Sequence, residues 1–253
     1  MTQINFAGIV DNSTLDYPDE VCAVIYLCGC PFRCPWCQNP ELLDAAKSKV
    51  CRKVELDFLV EKLKENFLIG AVTIIGGEPL MQKETLEVIK KIKKETKLKI
   101  KLDTNCYYPE RLKESLPYLD SFATDIKAPM NQLYGKVVGL PDRWRKITEE
   151  IEKSLEILKS WKGFKEARTT IVPGLIDTER DIEEIAKIVH RYNFNIYTLQ
   201  QFRADKTLDE RYENLPLPSP ELMKRLGKAA KKILPKTKVR IVTQQHGFEE
   251  IKL

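Results

Sequence analysis

Three cysteines close together constrain this chain more than any other feature of its sequence. Cys30, Cys34 and Cys37 form a C-x3-C-x2-C pattern directly after the apolar run at residues 22–27. A short apolar run of this kind predicts a buried strand, so the cysteines are expected in the loop that follows its carboxyl end. Two prolines inside the loop restrict its backbone, which helps three thiols converge on one inorganic core.

Three thiolates hold three corners of a 4Fe-4S cluster, whereas ordinary electron carriers use four cysteines and leave no iron open. We therefore predict Cys30, Cys34 and Cys37 as cluster ligands and expect the fourth iron to be open to a substrate. Zinc is less favoured, because zinc sites usually combine separated cysteine pairs or a histidine pair. The sequence has only two histidines, His190 and His246.

The remaining four cysteines share no metal-like spacing. We interpret Cys22, Cys51 and Cys106 as buried or incidental thiols. Cys28 is interpreted in the same way, with an auxiliary role at the cluster left open.

Polar motifs also follow the next apolar runs along the chain. They are Gly76-Gly77-Glu78-Pro79 after residues 71–75, Asp103-Thr104-Asn105 after residues 99–102, and Asp125-Ile126-Lys127 after residues 121–124. With the cysteine pattern, these strings resemble the radical S-adenosylmethionine (radical SAM) superfamily. The strings at residues 103–105 and 125–127 are similar to elements of glycyl-radical-enzyme activases. The segments at residues 13–18, 38–40 and 125–129 together resemble the anaerobic ribonucleoside-triphosphate reductase activating family.

The resemblance implies a 4Fe-4S cluster and S-adenosylmethionine as cofactors, with no catalytic residue beyond them. The expected cofactor-binding residues are Trp36, Gly76, Gly77, Glu78, Pro79, Asp103, Asn105, Asp125, Lys127 and Arg168. Residues 76–79 would receive the methionine ammonium group, Asp103 and Asn105 suit the ribose hydroxyls, and Lys127 is a candidate partner for the carboxylate. A monovalent cation at Asp103, Thr104 and Asp125 is left open.

Two positions depart from the family pattern. The family commonly has histidine where this chain has Gln38, and glycine where this chain has Cys106. We expect Gln38 to donate a hydrogen bond near a cluster sulfide. Glycine at the second position would allow positive φ or a close backbone approach, neither of which a cysteine permits easily.

The resemblance implies a partner glycyl radical enzyme as the protein substrate, with anaerobic ribonucleotide reductase as the leading candidate, and flavodoxin or ferredoxin as the reductant. Two alternatives stay open. One is a radical enzyme that acts on a small molecule or a modified nucleoside, since one scaffold hosts many reactions. The other is a non-catalytic iron-sulfur or metal-binding module.

Composition excludes some other classes. A net charge of +5 with both signs interspersed does not favour nucleic-acid binding. The apolar runs are strand-sized and no secretory leader is apparent, so we expect a cytoplasmic protein that does not cross a membrane. An odd number of cysteines, seven, also favours a reducing compartment.

Strand-like runs alternate with helical apolar stripes, which predicts an α/β fold with a parallel sheet. The strands are expected at residues 23–27, 71–75, 99–102, 121–124, 167–172 and 195–199. The stripes include Leu56, Leu59, Leu63 and Phe67, then Ile147, Ile151, Leu155 and Leu158, and then Ile182, Ile185 and Val189. We predict a partial (β/α)6 TIM-like barrel of the radical SAM type in one domain, residues 1–253. Its core is expected at about residues 20–205.

Residues 206–253 are expected to form a short extension that contains one helix and one strand. Ser219 reads as the N-cap of a helix that runs to about Leu234, and a final strand is expected at residues 238–242. Because the chemistry of such barrels gathers where strands end, the motifs described above are expected at one edge of the sheet.

Overall fold

The computed structural model describes residues 2–253, which form two compact units. The first unit consists of residues 2–31, 39–123 and 161–163, and the second of residues 32–38, 124–160 and 164–253. Strands and helices alternate in both, as the apolar periodicity predicts. That the whole chain is a single domain stays a prediction from the sequence.

The first unit contains a mixed set of strands. Its elements are β1 (Gln3–Ser13), β2 (Cys22–Leu27), β3 (Arg52–Glu55), α1 (Leu56–Glu65), β4 (Ala71–Gly76), α2 (Thr85–Glu95), β5 (Lys99–Thr104), α3 (Pro109–Ser115) and the start of β6 (Ser121–Asp125). Strand β4 pairs in parallel with β2 and β5, while β1 pairs antiparallel with β2 and β3. The register places Leu27 opposite Gly76. The carboxyl ends of β2 and β4 therefore lie side by side.

The second unit is built on three parallel strands. Its elements after β6 are α4 (Gln132–Val137), α5 (Trp144–Ser160), β7 (Phe164–Ile171), α6 (Glu179–Arg191), β8 (Ile196–Gln201), α7 (Pro220–Ile233), β9 (Lys238–Thr243) and β10 (Gly247–Glu250). Strand β8 pairs in parallel with β7 and β9, and β10 pairs antiparallel with β9. Short 3-10 turns lie at Pro40–Leu42, Pro79–Met81, Leu116–Tyr118, Pro141–Arg143 and Glu210–Asn214.

The predicted start of the last helix is confirmed. The hydroxyl of Ser219 accepts a hydrogen bond from the backbone N–H of Leu222, and Pro220 occupies the first helical position. The predicted final strand is present as β9. The stripes assigned to α5 and α6 are buried along their whole length.

Other elements differ from the prediction. Strands β1, β3 and β10 were not expected, because each has too few buried apolar side chains to show a clear alternation. The stripe that begins at Leu56 ends one turn early. Helix α1 stops at Glu65, and Phe67 is 91% exposed, so its inclusion in the buried stripe was wrong.

A buried lysine stabilises the ends of two helices in the second unit. Lys165 in β7 is only 3% exposed. Its ammonium group donates hydrogen bonds to the carbonyl oxygens of Leu158, in the last turn of α5, and Tyr192, which directly follows α6. Carbonyl groups at the end of a helix lack partners within the helix and carry partial negative charge, so a cation is favourable there.

We predict that Lys165→Met lowers the free energy of unfolding by about 1–3 kcal/mol, because two buried carbonyl oxygens lose their donor. Urea denaturation measures the change. Lys228→Met, at an exposed position of α7, is the matched control and should stay within about 0.5 kcal/mol of wild type. Equal stability of the two variants would contradict this role of Lys165.

Candidate active site

Two glycines allow the end of β4 to approach the start of the cysteine loop, residues 30–38. A Cβ atom on Gly77 would lie 2.4 Å from the carbonyl oxygen of Gly29 and 3.2 Å from Cβ of Cys30. Gly76 has a φ of +143°, and a Cβ there would lie 2.0 Å from the carbonyl oxygen of Leu27. No larger residue fits either position without moving the backbone.

Glu78 joins the ends of two strands through a completely buried carboxylate. Its Oε1 accepts hydrogen bonds from the backbone N–H of Leu80 (2.8 Å) and the hydroxyl of Thr104 (2.7 Å). Its Oε2 accepts one from the backbone N–H of Asn105 (2.7 Å). A buried charge is costly unless it is hydrogen-bonded, and these donors meet that requirement. The end of β4 is thereby tied to the end of β5.

Asn105 also approaches the first cysteine of the motif. Its Nδ2 lies 3.9 Å from Sγ of Cys30 and donates to it. Because its Oδ1 accepts a hydrogen bond from the backbone N–H of Tyr107, the amide is oriented with its donor toward the sulfur. The predicted ribose ligand thus lies beside a predicted cluster ligand.

Asp103 forms an ion pair within β5. Its carboxylate lies 3.1 Å from the ammonium group of Lys101, and both side chains are at least 95% buried. Lys101 also donates a hydrogen bond to the carbonyl oxygen of Asp16. The sequence analysis missed Lys101. The available signal was its spacing from Asp103, because residues two apart on a strand point to the same face.

Cys106 adopts the conformation that the family pattern suggested for a glycine. Its φ is +64°, in the left-handed region, and its side chain is completely buried. Side chains with a Cβ atom are strained in this conformation. At the end of β5, a cysteine therefore occupies a conformation that a glycine would adopt without strain.

We predict that Cys106→Gly is more stable than Cys106→Ala by about 1 kcal/mol, because only the alanine keeps the penalty for positive φ. Both variants lose the buried thiol, and alanine alone keeps a Cβ atom in the left-handed conformation. Thermal or urea unfolding measures the difference in stability. An alanine variant as stable as the glycine variant would show that the backbone here is not strained.

Cys28 and Cys51 form a disulfide in the first unit, with their Cα atoms 6.2 Å apart. The interpretation of these residues as incidental thiols was wrong, and a disulfide-bonded Cys28 has no thiolate to offer a cluster. Nearby, the backbone N–H groups of Gly29 and Cys30 donate to the carbonyl oxygens of Leu42 and Leu43. The disulfide and these hydrogen bonds together attach residues 42–51 to the end of β2. No local signal in the sequence pairs two cysteines 23 residues apart.

We predict that denatured, unreduced apoprotein titrates five thiols, because Cys22, Cys30, Cys34, Cys37 and Cys106 are the cysteines of residues 2–253 outside the disulfide. Reduction should bring the count to the seven cysteines of the sequence. Joint replacement of Cys28 and Cys51 by alanine should lower the free energy of unfolding by about 2–4 kcal/mol. Wild type treated with a dithiol reductant is the control and should match that variant. Seven thiols without reductant would contradict the assignment.

Residues 32–38 of the cysteine loop belong to the second unit, where hydrogen bonds fix them at several points. The backbone N–H of Cys37 donates to the carbonyl oxygen of Cys34, which makes a tight turn. Further bonds run from the backbone N–H of Arg33 to Val138 O, from the backbone N–H of Asp209 to Pro35 O, and from Nε2 of Gln38 to Arg203 O. The amide donor expected near a cluster sulfide is therefore directed to the Arg203 carbonyl, and Gln38 tethers the loop instead.

Asp125 lies between two cations in the second unit. Its carboxylate accepts hydrogen bonds from Lys127 Nζ (3.0 Å) and Arg168 Nε (3.1 Å). Burial alone would raise the pKa of Asp125, but the charges of Lys127 and Arg168 outweigh burial and hold that pKa well below its usual range. Burial would likewise lower the pKa of Lys127, yet Asp125 holds it above its usual range. All three groups are therefore charged at neutral pH.

Lys127 also contacts the cysteine loop. Its ammonium group lies 4.9 Å from the ring centroid of Trp36, within the range of a cation–π interaction. Trp36 is 8% exposed and follows Cys34 by two residues. The second unit thus brings together Trp36, Asp125, Lys127 and Arg168, while the first brings together Cys30, Glu78 and Asn105.

The donor set suits an iron-sulfur cluster. Cys30, Cys34 and Cys37 are thiols outside the disulfide, and thiolates are the ligands that such clusters use. Over residues 2–253, no three His, Cys, Asp or Glu side chains are grouped so that they could hold a metal ion. In a cubane, by contrast, each thiolate binds a different iron.

Comparison with known proteins identifies the family. Residues 24–189 match the model of the Radical SAM superfamily. A protein of Methanocaldococcus jannaschii named as a glycyl-radical enzyme activating enzyme is 34% identical over 241 residues, which are 93% of this chain and 95% of the relative. The pyruvate formate-lyase-activating enzyme of Clostridium pasteurianum is 28% identical over 223 residues, or 83% of this chain and 90% of that enzyme.

A solved structure shows the same fold. The crystal structure of a domain of pyruvate-formate lyase-activating enzyme from Bacteroides vulgatus superposes with a TM-score of 0.55 at 19% identity, and covers 69% of this chain and 99% of that domain. The predicted fold class, an α/β partial TIM-like barrel, is confirmed. None of the helices in residues 2–253 is long and apolar enough to cross a membrane.

The chain therefore belongs to the radical SAM superfamily. It is an enzyme of the glycyl-radical-enzyme activating type, as the resemblance in its motifs implied. Membership in this family implies a 4Fe-4S cluster and S-adenosylmethionine.

Proposed function

We propose that Cys30, Cys34 and Cys37 bind a 4Fe-4S cluster, and that the enzyme uses it to generate a glycyl radical on a partner protein. The observation that carries the proposal is the 34% identity to the archaeal activating enzyme across 93% of this chain. When bound, the cluster would supply the one electron needed to cleave S-adenosylmethionine into methionine and a 5′-deoxyadenosyl radical. The tasks of the protein are to bind and orient the cofactor.

The residues of the first unit suit the methionine and ribose parts of the cofactor. The backbone at Gly76 and Gly77 and the charge of Glu78 would receive the ammonium group, with Pro79 fixing the turn that follows. Three hydrogen bonds already engage the carboxylate of Glu78, so its role is to shape this turn and keep negative charge beside it. Asp103 and Asn105 would receive the ribose hydroxyls.

The residues of the second unit suit the carboxylate of the cofactor. Lys127 and Arg168 are cations that Asp125 orients from one side, and cations of this kind form strong, charge-assisted hydrogen bonds to carboxylates. Trp36 would shield the cluster from water, because it is buried within the cysteine loop. Binding of a monovalent cation is proposed from the resemblance of the motifs alone.

The proposed substrate is a backbone glycine of a glycyl radical enzyme, with an anaerobic ribonucleoside-triphosphate reductase as the leading candidate. The names of the relatives support the wider class, since they include activating enzymes for pyruvate formate-lyase and indoleacetate decarboxylase. Flavodoxin or ferredoxin would supply the electron. The glycine would lose one hydrogen atom and keep the unpaired electron, and 5′-deoxyadenosine would be the product that carries this hydrogen.

The test is anaerobic reconstitution with iron and sulfide, followed by S-adenosylmethionine, dithionite and the candidate partner. We expect 5′-deoxyadenosine by mass spectrometry and a glycyl radical signal by electron paramagnetic resonance. Cys34→Ala should abolish both. Cys22→Ala is the matched control, because Cys22 is a buried thiol outside the motif, and it should retain both.

Two results would contradict the proposal at different levels. If wild type forms no 5′-deoxyadenosine, the assignment of these cysteines to the cofactor chemistry fails. If 5′-deoxyadenosine forms but no partner acquires a radical, only the protein substrate fails. Acceleration of cofactor cleavage by a free metabolite would then favour a small-molecule substrate.

A further inference from the structure

Trp36 carries a buried donor without a partner in the described residues 2–253. Its indole Nε1 is shielded from solvent and makes no hydrogen bond there. Trp36 stands between Cys34 and Cys37 in the loop that we propose as the cluster site. Buried N–H groups are almost always hydrogen-bonded, so an acceptor is expected when the loop carries its cofactor.

A cation covers the same ring. The ammonium group of Lys127 lies 4.9 Å from the ring centroid of Trp36, and its side chain is 10% exposed. Because Asp125 faces both Lys127 and Arg168, one carboxylate is shared by two cations. Asp125, Lys127 and Arg168 together carry one net positive charge, and Lys127 places its ammonium group beside Trp36 of the cysteine loop.

The charge of Lys127 lies close to two proposed cluster ligands. Trp36, which its ammonium group covers, stands between Cys34 and Cys37 in the sequence. A positive charge beside a cluster favours the negative charge that reduction adds to it.

Reduction adds one electron to an iron-sulfur cluster, and its reduction potential depends on nearby charge and on hydrogen bonds to its sulfurs. We propose that Trp36 and Lys127 together raise the reduction potential of the cluster in the cysteine loop. This inference rests on the proposed function. Lys127 supplies the charge and Trp36 supplies a buried N–H, and the cation–π contact holds the two side chains together.

This role differs from binding of the cofactor carboxylate, because it acts before S-adenosylmethionine is present. The experiment is a redox titration of reconstituted holoprotein without S-adenosylmethionine. The electron paramagnetic resonance signal of the reduced cluster measures the reduced fraction at each potential. We expect Lys127→Met to lower the equilibrium constant for reduction about tenfold, which is a shift of about 59 mV to more negative potential for one electron.

Three further variants distinguish the effects of charge, of the indole N–H and of substitution as such on the reduction potential. Lys127→Arg keeps the charge and should restore most of the wild-type potential. Trp36→Phe keeps an aromatic ring but removes the N–H, and should give a smaller negative shift. Lys136→Met removes an exposed lysine of α4 in the same unit and should leave the potential unchanged.

The iron and sulfide content of each variant shows whether the proposed function fails or only the inference about the reduction potential. Wild type that binds no cluster would overturn the proposed function together with this inference. If wild type and both Lys127→Met and Trp36→Phe hold full clusters with equal potentials, only this inference is overturned. If Lys127→Met does not fold, an unchanged potential in Trp36→Phe is sufficient to overturn it, and a negative shift there supports it.

Discussion

The arrangement of the first unit depends on the hydrogen bonds that the buried carboxylate of Glu78 accepts. Two of its hydrogen bonds join the end of β4 to Thr104 and Asn105 at the end of β5, and a third comes from the backbone N–H of Leu80 in the turn that follows. Because the backbone of Asn105 is fixed in this way, its side chain can direct a donor to the sulfur of Cys30. One satisfied charge therefore holds together motifs that are 27 residues apart.

Contacts made mostly outside the motif itself hold each end of the cysteine loop. The disulfide of Cys28 and Cys51 holds the chain where the loop begins, and the Gln38 amide ties its other end to the Arg203 carbonyl. Between them, Trp36 packs against Lys127. Support of this kind around metal ligands governs their affinity and electronic properties.

Much of the fold and site could be predicted from local patterns, for physical reasons. Parallel strands are nearly continuous apolar runs, so β2 and β4 were visible, and the motif residues follow their ends. The family pattern also suggested the conformation of Cys106, because a position where relatives commonly have glycine is one where positive φ is expected. The Cys28–Cys51 disulfide and the Gln38 tether join residues far apart in sequence, and no local periodicity encodes such pairs. Strand β1 was missed because Ile4 and Phe6 are its only fully buried apolar residues.

The most direct test is the Mössbauer spectrum of protein reconstituted with iron-57, recorded before and after addition of S-adenosylmethionine. Three cysteine ligands leave one iron chemically distinct from the other three, so we expect the signal of that single iron to change when the cofactor binds. A spectrum in which all irons are equivalent and unaffected by the cofactor would show a cluster fully capped by the protein, and would contradict the open-iron assignment.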